Sequence, residues 1–241
     1  MQPFFTDSSL WLRIATVPVY VGAIVLTAEL LHRYTNTKPE YVRKVVHIGT
    51  GNVILLAWLL DLPAWVGMIS GVLAGIITLV SYYLPILPGV NSVDRKSLGT
   101  FFYAVSIGIS IAVFWQLKLP HYGVIGILIM AWGDGLAAII GQNFGKHPYT
   151  IFGNTKSREG TSAMLVVSYA IVSIVLFSVQ GNIWQTWAVG IPVAIAATAV
   201  ESIAQWGLDN LSVPLVSAGL AYAINQLSIG WFCNVIVITP C

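Results

Sequence analysis

Charge is scarce in this chain: only 8% of its 241 residues are Asp, Glu, Lys or Arg, against the roughly 25% of an ordinary soluble domain. With 57% of residues in the hydrophobic set and a mean hydropathy of +0.82, a water-soluble globule is excluded. The net charge, +2 at pH 7, is too small to suggest nucleic acid as a partner. Cysteine is nearly absent. Cys233 and Cys241 sit together near the C-terminal end without metal-ligand spacing, are read as incidental, and say nothing of the redox compartment. The first apolar run, opening near Trp11, lacks the lysine-rich flank and small-residue cleavage site of a secretory signal, so it is expected to be a retained transmembrane helix. A Walker A phosphate loop is missing as well, because no glycine stands at the fixed spacing from a Gly-Lys-Ser/Thr element.

What the chain does have is apolar runs long enough to cross about 30 Å of hydrocarbon. Eight are expected, over 12–31, 45–60, 65–87, 99–117, 121–141, 161–179, 184–204 and 213–237. The second is short, and the last contains Asn225 and Gln226, so either is open to tilting, breaking or half-burial among neighbours. The predicted fold class is all-α, a polytopic integral membrane helical bundle of about eight transmembrane helices, with residues 1–241 forming a single membrane-embedded domain. With eight spans the loops alternate sides, and nine of the eleven Lys and Arg residues then share one side, leaving Arg13 and Lys118 on the other. That asymmetry puts loops 32–44, 88–98, 142–160 and 205–212 in the cytoplasm. Polar chemistry gathered on one membrane face suits an interfacial enzyme better than a channel, which needs polar groups through its whole depth.

Four polar clusters fall on that face. Arg43, Lys44 and His47, followed by Gly49, Gly51 and Asn52, form a basic patch one helical turn deep, able to hold a phosphate or a lipid headgroup. For Arg43 and Lys44 a role as topology anchors is the alternative. His47 and Asn52 lie inside a span, where polar groups are expensive and have a partner or a task. Asp94-Arg95-Lys96-Ser97-Leu98-Gly99-Thr100 is a polar loop whose serine, glycine and backbone amides beside two cations can cradle phosphate oxygens; a solvated, capped helix start is its alternative.

The third cluster runs from Ala131 to Thr161. Gly133, Ala137, Gly141 and Gly145 recur every four residues, a repeat that close helix packing explains. Asp134 is different, because a carboxylate inside an apolar helix costs about 2.5–3.5 kcal/mol even on lenient insertion scales. A magnesium ion carrying nucleotide phosphates would compensate it; a salt bridge to Lys146 or Lys156 is the rival. Beyond it, Lys146, Lys156 and Arg158 supply positive charge, while Gly153 and Gly160 allow the loop to turn. The fourth cluster is Glu201 with Asp209-Asn210-Leu211-Ser212. Glu201 and Asp209 can both reach the face where Asp134 emerges, and such a group of carboxylates suits divalent ions holding a triphosphate. An N-cap role would account for Asp209 but not for Glu201.

In this order and at these membrane positions, the clusters resemble the CTP-dependent polyprenol kinase family, which includes phytol and dolichol kinases. The matching stretches are Arg43-Lys44-Val45-Val46-His47-Ile48-Gly49, Gly-Thr-Phe-Phe-Tyr at 99–103, Gly133-Asp134-Gly135 with Ala138 and Gly141, Gly145, Asn154-Thr155-Lys156-Ser157 with Gly160, and Val200-Glu201-Ser202 followed by Asp209-Asn210-Leu211. They run from about residue 40 to 215. The chain looks most like the phytol kinases among them. The resemblance implies transfer of the γ-phosphoryl group of CTP, with Mg2+, to the hydroxyl of a long isoprenoid alcohol. It also implies a photosynthetic source in which phytol is recycled toward tocopherol. On this reading Asp134, Asp209 and Glu201 hold metal, and Lys156, Arg158 and Lys146 neutralise phosphate. Arg43, Lys44, Arg95, Ser97, Asn154 and Gly160 complete the nucleotide site, and Glu201 or His47 orients or deprotonates the alcohol. A membrane cytidylyltransferase, attacking the α-phosphorus instead, and a transporter using Asp134 and Glu201 as coupling acids are the rival readings. The first lacks its longer Lys-Asp and histidine signature near 205–212, and the second lacks polar residues in the outer halves of the helices and an internal repeat.

Overall fold

The rod from Pro120 to Phe144 is the axis of the fold: 67% of its apolar window is buried, against 6% for the N-terminal helix. In the computed structural model the backbone is described over residues 8–83 and 98–236, and side chains over 9–81 and 98–227. The helices are α1 (Ser8–Tyr34), α2 (Pro39–Gly51), α3 (Val53–Leu59), α4 (Ala64–Tyr83), α5 (Gly99–Phe114), α6 (Pro120–Leu128), α7 (Gly135–Phe144), α8 (Arg158–Gln180), α9 (Trp184–Ala188), α10 (Gly190–Ile203) and α11 (Asp209–Ile236). A π-helical turn, Ile129–Asp134, joins α6 to α7. End-to-end joining of α2 with α3, α6 with α7, and α9 with α10 makes eight rods among the described residues, and five helical stretches are long and apolar enough to cross a membrane. The large apolar side chains left on the outside, such as Val72, Leu73, Ile76 and Ile77 of α4, form a surface suited to lipid, since water would drive so large a patch into association.

Most expected spans coincide with observed rods to within a turn. The second differs: its helix begins at Pro39, where a proline is pre-set for the first turn, and breaks at Asn52 between α2 and α3. The last does not break. Asn225 is buried, donating to the Tyr122 hydroxyl (2.8 Å) and to Gln180 Oε1 (2.9 Å), so α11 continues through it. Residues 84–87 of the third span, the cluster Asp94 to Ser97 and the side chain of Cys233 with all of Cys241 lie outside the described residues.

One element is not helical. Pro148–Ile151 (β1) and Asn154–Ser157 (β2) pair antiparallel, with Ile151 opposite Asn154. Phe152 and Gly153 between them have φ of +46° and +83°, the left-handed pair that a two-residue type I′ hairpin turn demands. The stretch expected as an open loop is therefore a hairpin.

The four-residue glycine repeat does pack a helix. A Cβ on Gly133 would meet Met164 Sδ at 2.7 Å, and one on Gly145 would meet Ser157 Cβ at 2.9 Å, both in the α8 region. α10 packs on α8 and α11, α11 on α6, and α4 on α5.

Candidate active site at the polar end of the bundle

α2 lies against the π turn because small residues permit it: a Cβ on Gly51 would come 2.3 Å from Ala131 Cβ, and one on Gly135 would come 2.7 Å from Ile48 Cγ1. At that contact Lys44 Nζ donates to Asp134 Oδ2 at 2.6 Å. His47 Nε2 stands 3.4 Å from the same oxygen and 3.2 Å from the Met130 carbonyl. The Lys44 and Asp134 side chains are 4% and 15% exposed, so each ion depends on the other for its solvation. The compensating cation for Asp134 is thus Lys44, ninety residues away, and not Lys146 or Lys156. Pi turns arise frequently at functional positions because the inserted residue re-aims its neighbours. Here the turn ends on Asp134, and its Trp132 Nε1 donates to Asn52 Oδ1 at 2.8 Å.

A second, partly buried pair lies within electrostatic reach of it. Lys156, from β2, is ion-paired with Glu201 of α10 and donates to the Glu201 carbonyl at 2.7 Å. The hairpin is tied to the same helix end by Asn154 Nδ2 to Ala204 O (3.2 Å) and by Gln205 Nε2 to Phe152 O (2.6 Å). Asn154 is therefore a tether. Gly160 is also structural: its amide donates to Ser157 Oγ at 3.1 Å, capping α8, and its Cα lies against Ala137 and Gly141. It has no free amide for a phosphate.

Asp209 opens α11, one of its oxygens accepting the Asn210 amide at 3.0 Å. It interacts electrostatically with Asp134, Lys44 and Lys156, and Glu201 with Asp134 and Asp209. Asp134, Glu201 and Asp209 thus feel one another's charge at this end of the bundle. The preceding loop reaches the start of α5, where a Cβ on Gly207 would fall 2.6 Å from Gly99 Cα, so the end of the second cluster joins the same place. Arg43 is held by Glu40 at 2.5 Å on the rim. Lys146 and Arg158 are exposed. Arg95 and Ser97 lie outside the described residues.

Among the described residues, no three His, Cys, Asp or Glu side chains form a ready metal cage. The donors nevertheless fit a hard cation such as magnesium, which takes one or two carboxylates and completes its shell with phosphate oxygens and water. Asp209 has no ion-pair partner among the described residues, and beside it the buried Asn210 Oδ1 has no hydrogen-bond partner there. A carboxylate without a counter-ion beside an amide oxygen without a donor is suited to such an ion.

The comparisons with known proteins point to one family. The chain is 49% identical to the phytol kinase of Synechocystis sp., covering 92% of this chain and 95% of the relative. It is 31% identical to phytol kinase 1, chloroplastic, of Arabidopsis thaliana and 30% identical to probable phytol kinase 1, chloroplastic, of Glycine max, in each case over 86% of this chain and 75% of the relative. This chain belongs to the phytol kinase family. No family model and no solved structure matches it.

For a membrane-embedded phytol kinase family member, the geometry adds residues that sequence reasoning passed over. Tyr103 donates its hydroxyl to the His47 carbonyl at 2.7 Å and sets its ring 4.7 Å from the imidazole, fixing His47 from below. Tyr103 stood inside the matching stretch at 99–103, without a role. Asn210 stood beside Asp209 in the same way. Tyr41, whose hydroxyl donates to Asn143 Oδ1 at 2.7 Å and so ties α2 to α7, gave no signal.

Proposed function

We propose that the protein transfers the γ-phosphoryl group of CTP to the hydroxyl of a long isoprenoid alcohol, phytol foremost, giving a prenyl monophosphate and CDP. The observation that carries this reading is the two ion pairs, Lys44 with Asp134 buried and Lys156 with Glu201 partly buried, gathered with Asp209 at one end of a membrane bundle. Phosphoryl transfer asks a protein mainly to position two oxygens in line and to neutralise charge on the transferred group. Lys156, Arg158 and Lys146 serve the second need, with Arg43, Lys44, Arg95 and Ser97 extending the phosphate-binding surface. Asn154 supports the site by holding the hairpin on α10.

Asp134, Asp209 and Glu201 are the residues that would hold magnesium, which when bound supplies charge neutralisation across the phosphates. In the ion pairs each of Lys44 and Lys156 sits beside an acid of this set, so nucleotide entry exchanges partners: the cations turn to phosphate oxygens as the carboxylates are released. The alcohol oxygen forms its bond to the γ-phosphorus as the bond to CDP breaks, and its proton passes to Glu201 or His47. The polar end of the bundle faces the cytoplasm, on the asymmetry of Lys and Arg, and the one membrane-embedded unit spans the chain in a photosynthetic membrane, where phosphorylated phytol feeds tocopherol synthesis.

The test is incubation of the purified protein with γ-labelled CTP, magnesium and a panel of prenols, with ATP, GTP and UTP as competing donors. Label recovered in prenyl phosphate is the expected result. A CDP-lipid formed with release of labelled pyrophosphate would overturn the kinase reading in favour of cytidylyl transfer, and preference for another nucleotide would remove CTP.

A further inference from the structure

A groove of about 440 Å³ opens on the side of the bundle between α1, α2 and the π turn with α7. Its volume falls within the roughly 300–1,000 Å³ of small-molecule sites. The α1 wall is Tyr20, Ala23, Ile24 and Thr27, one face of a helix at spacings of three and four. The α2 wall runs from Tyr41 to Asn52, roughly 16 Å at 1.5 Å per residue.

Its polar atoms are mostly turned to partners within the protein. Tyr20 donates to the Gly49 carbonyl (3.1 Å), Thr27 to the Ala23 carbonyl (2.8 Å), and Trp132 to Asn52. What remains facing the groove is apolar, chiefly Ala23, Ile24, Val45, Ile48 and Ile139. Lys44 is the single charged residue of the lining, and it is the residue that reaches Asp134. One cleft is therefore apolar along its length and meets the charged site at its wall.

We infer that this groove is the site for the isoprenoid tail of the alcohol, with the hydroxyl end at the Lys44–Asp134 pair. The inference rests on the kinase reading above and deepens it. An uncharged hydroxyl both donates and accepts, so it can approach an already neutral ion pair without stripping water from a new charge. A phospholipid tail in the same groove would carry its charged headgroup into the place that the nucleotide phosphates take beside Lys44, whereas the alcohol brings only a hydroxyl. Ala23 and Val45, exposed on the two walls, are the positions that fill the groove when enlarged.

The test uses the full-length protein in detergent micelles and diazirine-tagged phytol. Labelling maps by mass spectrometry to α1 and α2 along the groove, is displaced by untagged phytol and persists in excess phospholipid. Ala23→Trp and Val45→Trp suppress it and raise KM for phytol by about tenfold, with kcat held within about twofold, the signature of lost uniform binding. Labelling that maps elsewhere, that phospholipid displaces as well as phytol does, or that survives both substitutions overturns the inference. The two readings separate cleanly. If wild-type protein phosphorylates phytol while the label lies elsewhere, the groove assignment fails and the kinase stands; groove labelling without phosphoryl transfer supports the groove and sinks the kinase.

Discussion

Removing the carboxylate of Asp134 tests whether its pair with Lys44 is a scaffold, a piece of the reaction centre, or both. In Asp134→Asn the Lys44 ammonium, only 4% exposed, is left without its counter-charge. Breaking a buried pair from one side costs about 3–5 kcal/mol, whereas replacing both members with apolar or neutral groups is close to neutral or stabilising. At about 2–4 °C per kcal/mol for a chain of this size, the single variant should unfold roughly 6–20 °C earlier. Lys44→Met should lose a similar amount, and Lys44→Met/Asp134→Asn should recover most of it. Activity behaves differently: all three variants should lose at least about a hundredfold in phosphoryl transfer, the scale on which single charge-stabilising groups act. The assays are thermal unfolding in one detergent and transfer of label from γ-labelled CTP to phytol. A double variant that regains turnover together with stability would show the pair to be scaffold alone. A stable, active Asp134→Asn would refute both parts of the reasoning.

Gly51→Ala forces a methyl group to within 2.3 Å of Ala131 Cβ and 2.4 Å of the Tyr103 hydroxyl; a loss of about 1–3 kcal/mol is expected from overpacking, with reduced turnover because α2 carries Lys44 and His47, and calorimetry with the transfer assay checks both. Asn225→Leu removes the buried link to Tyr122 and Gln180 and should lower stability by about 1 kcal/mol, the scale of hydrogen bonds between membrane helices. Gln180 closes α8 while Arg158 opens it, roughly 33 Å away at 1.5 Å per residue, so turnover in that variant should be unchanged; a large loss would mean the opposite end of the bundle takes part in the reaction. Chelation of divalent ions should abolish transfer reversibly. Asp209→Asn should shift the magnesium titration to higher concentration without lowering thermal stability, and an unchanged titration would remove Asp209 from the metal site.

Much of the architecture was legible because a bilayer imposes it. Apolar length alone located the rods, and the costly position of Asp134 and Glu201 marked them as partnered or functional. The partners themselves were not legible. Lys44 and Asp134 are joined only because Gly51 and Gly135 let α2 settle on a π turn, and the backbone register shift that makes a π turn has no side-chain period to announce it. The hairpin was hidden for a related reason: each strand is four residues long, too short for alternation to emerge. Of the alternatives open for Asn225, burial among neighbours holds, but its partners Tyr122 and Gln180, distant in the chain, could not be named from the sequence.

The hairpin bears on how the polar end can move. Had residues 148–157 been loose coil, Lys156 could have sought a phosphate oxygen through many intermediate poses. Instead β1 and β2 are laddered together, their turn is held by Gln205, and Asn154 and Lys156 are fastened to the end of α10. At its other end, the Arg158 amide donates to the His147 carbonyl at 3.0 Å and His147 Nδ1 meets Glu159 at 2.6 Å. A segment braced at both ends shifts as one piece. The four-carbon stem of Lys156 is then what swings between Glu201 and a phosphate oxygen, over a range that the braced hairpin sets.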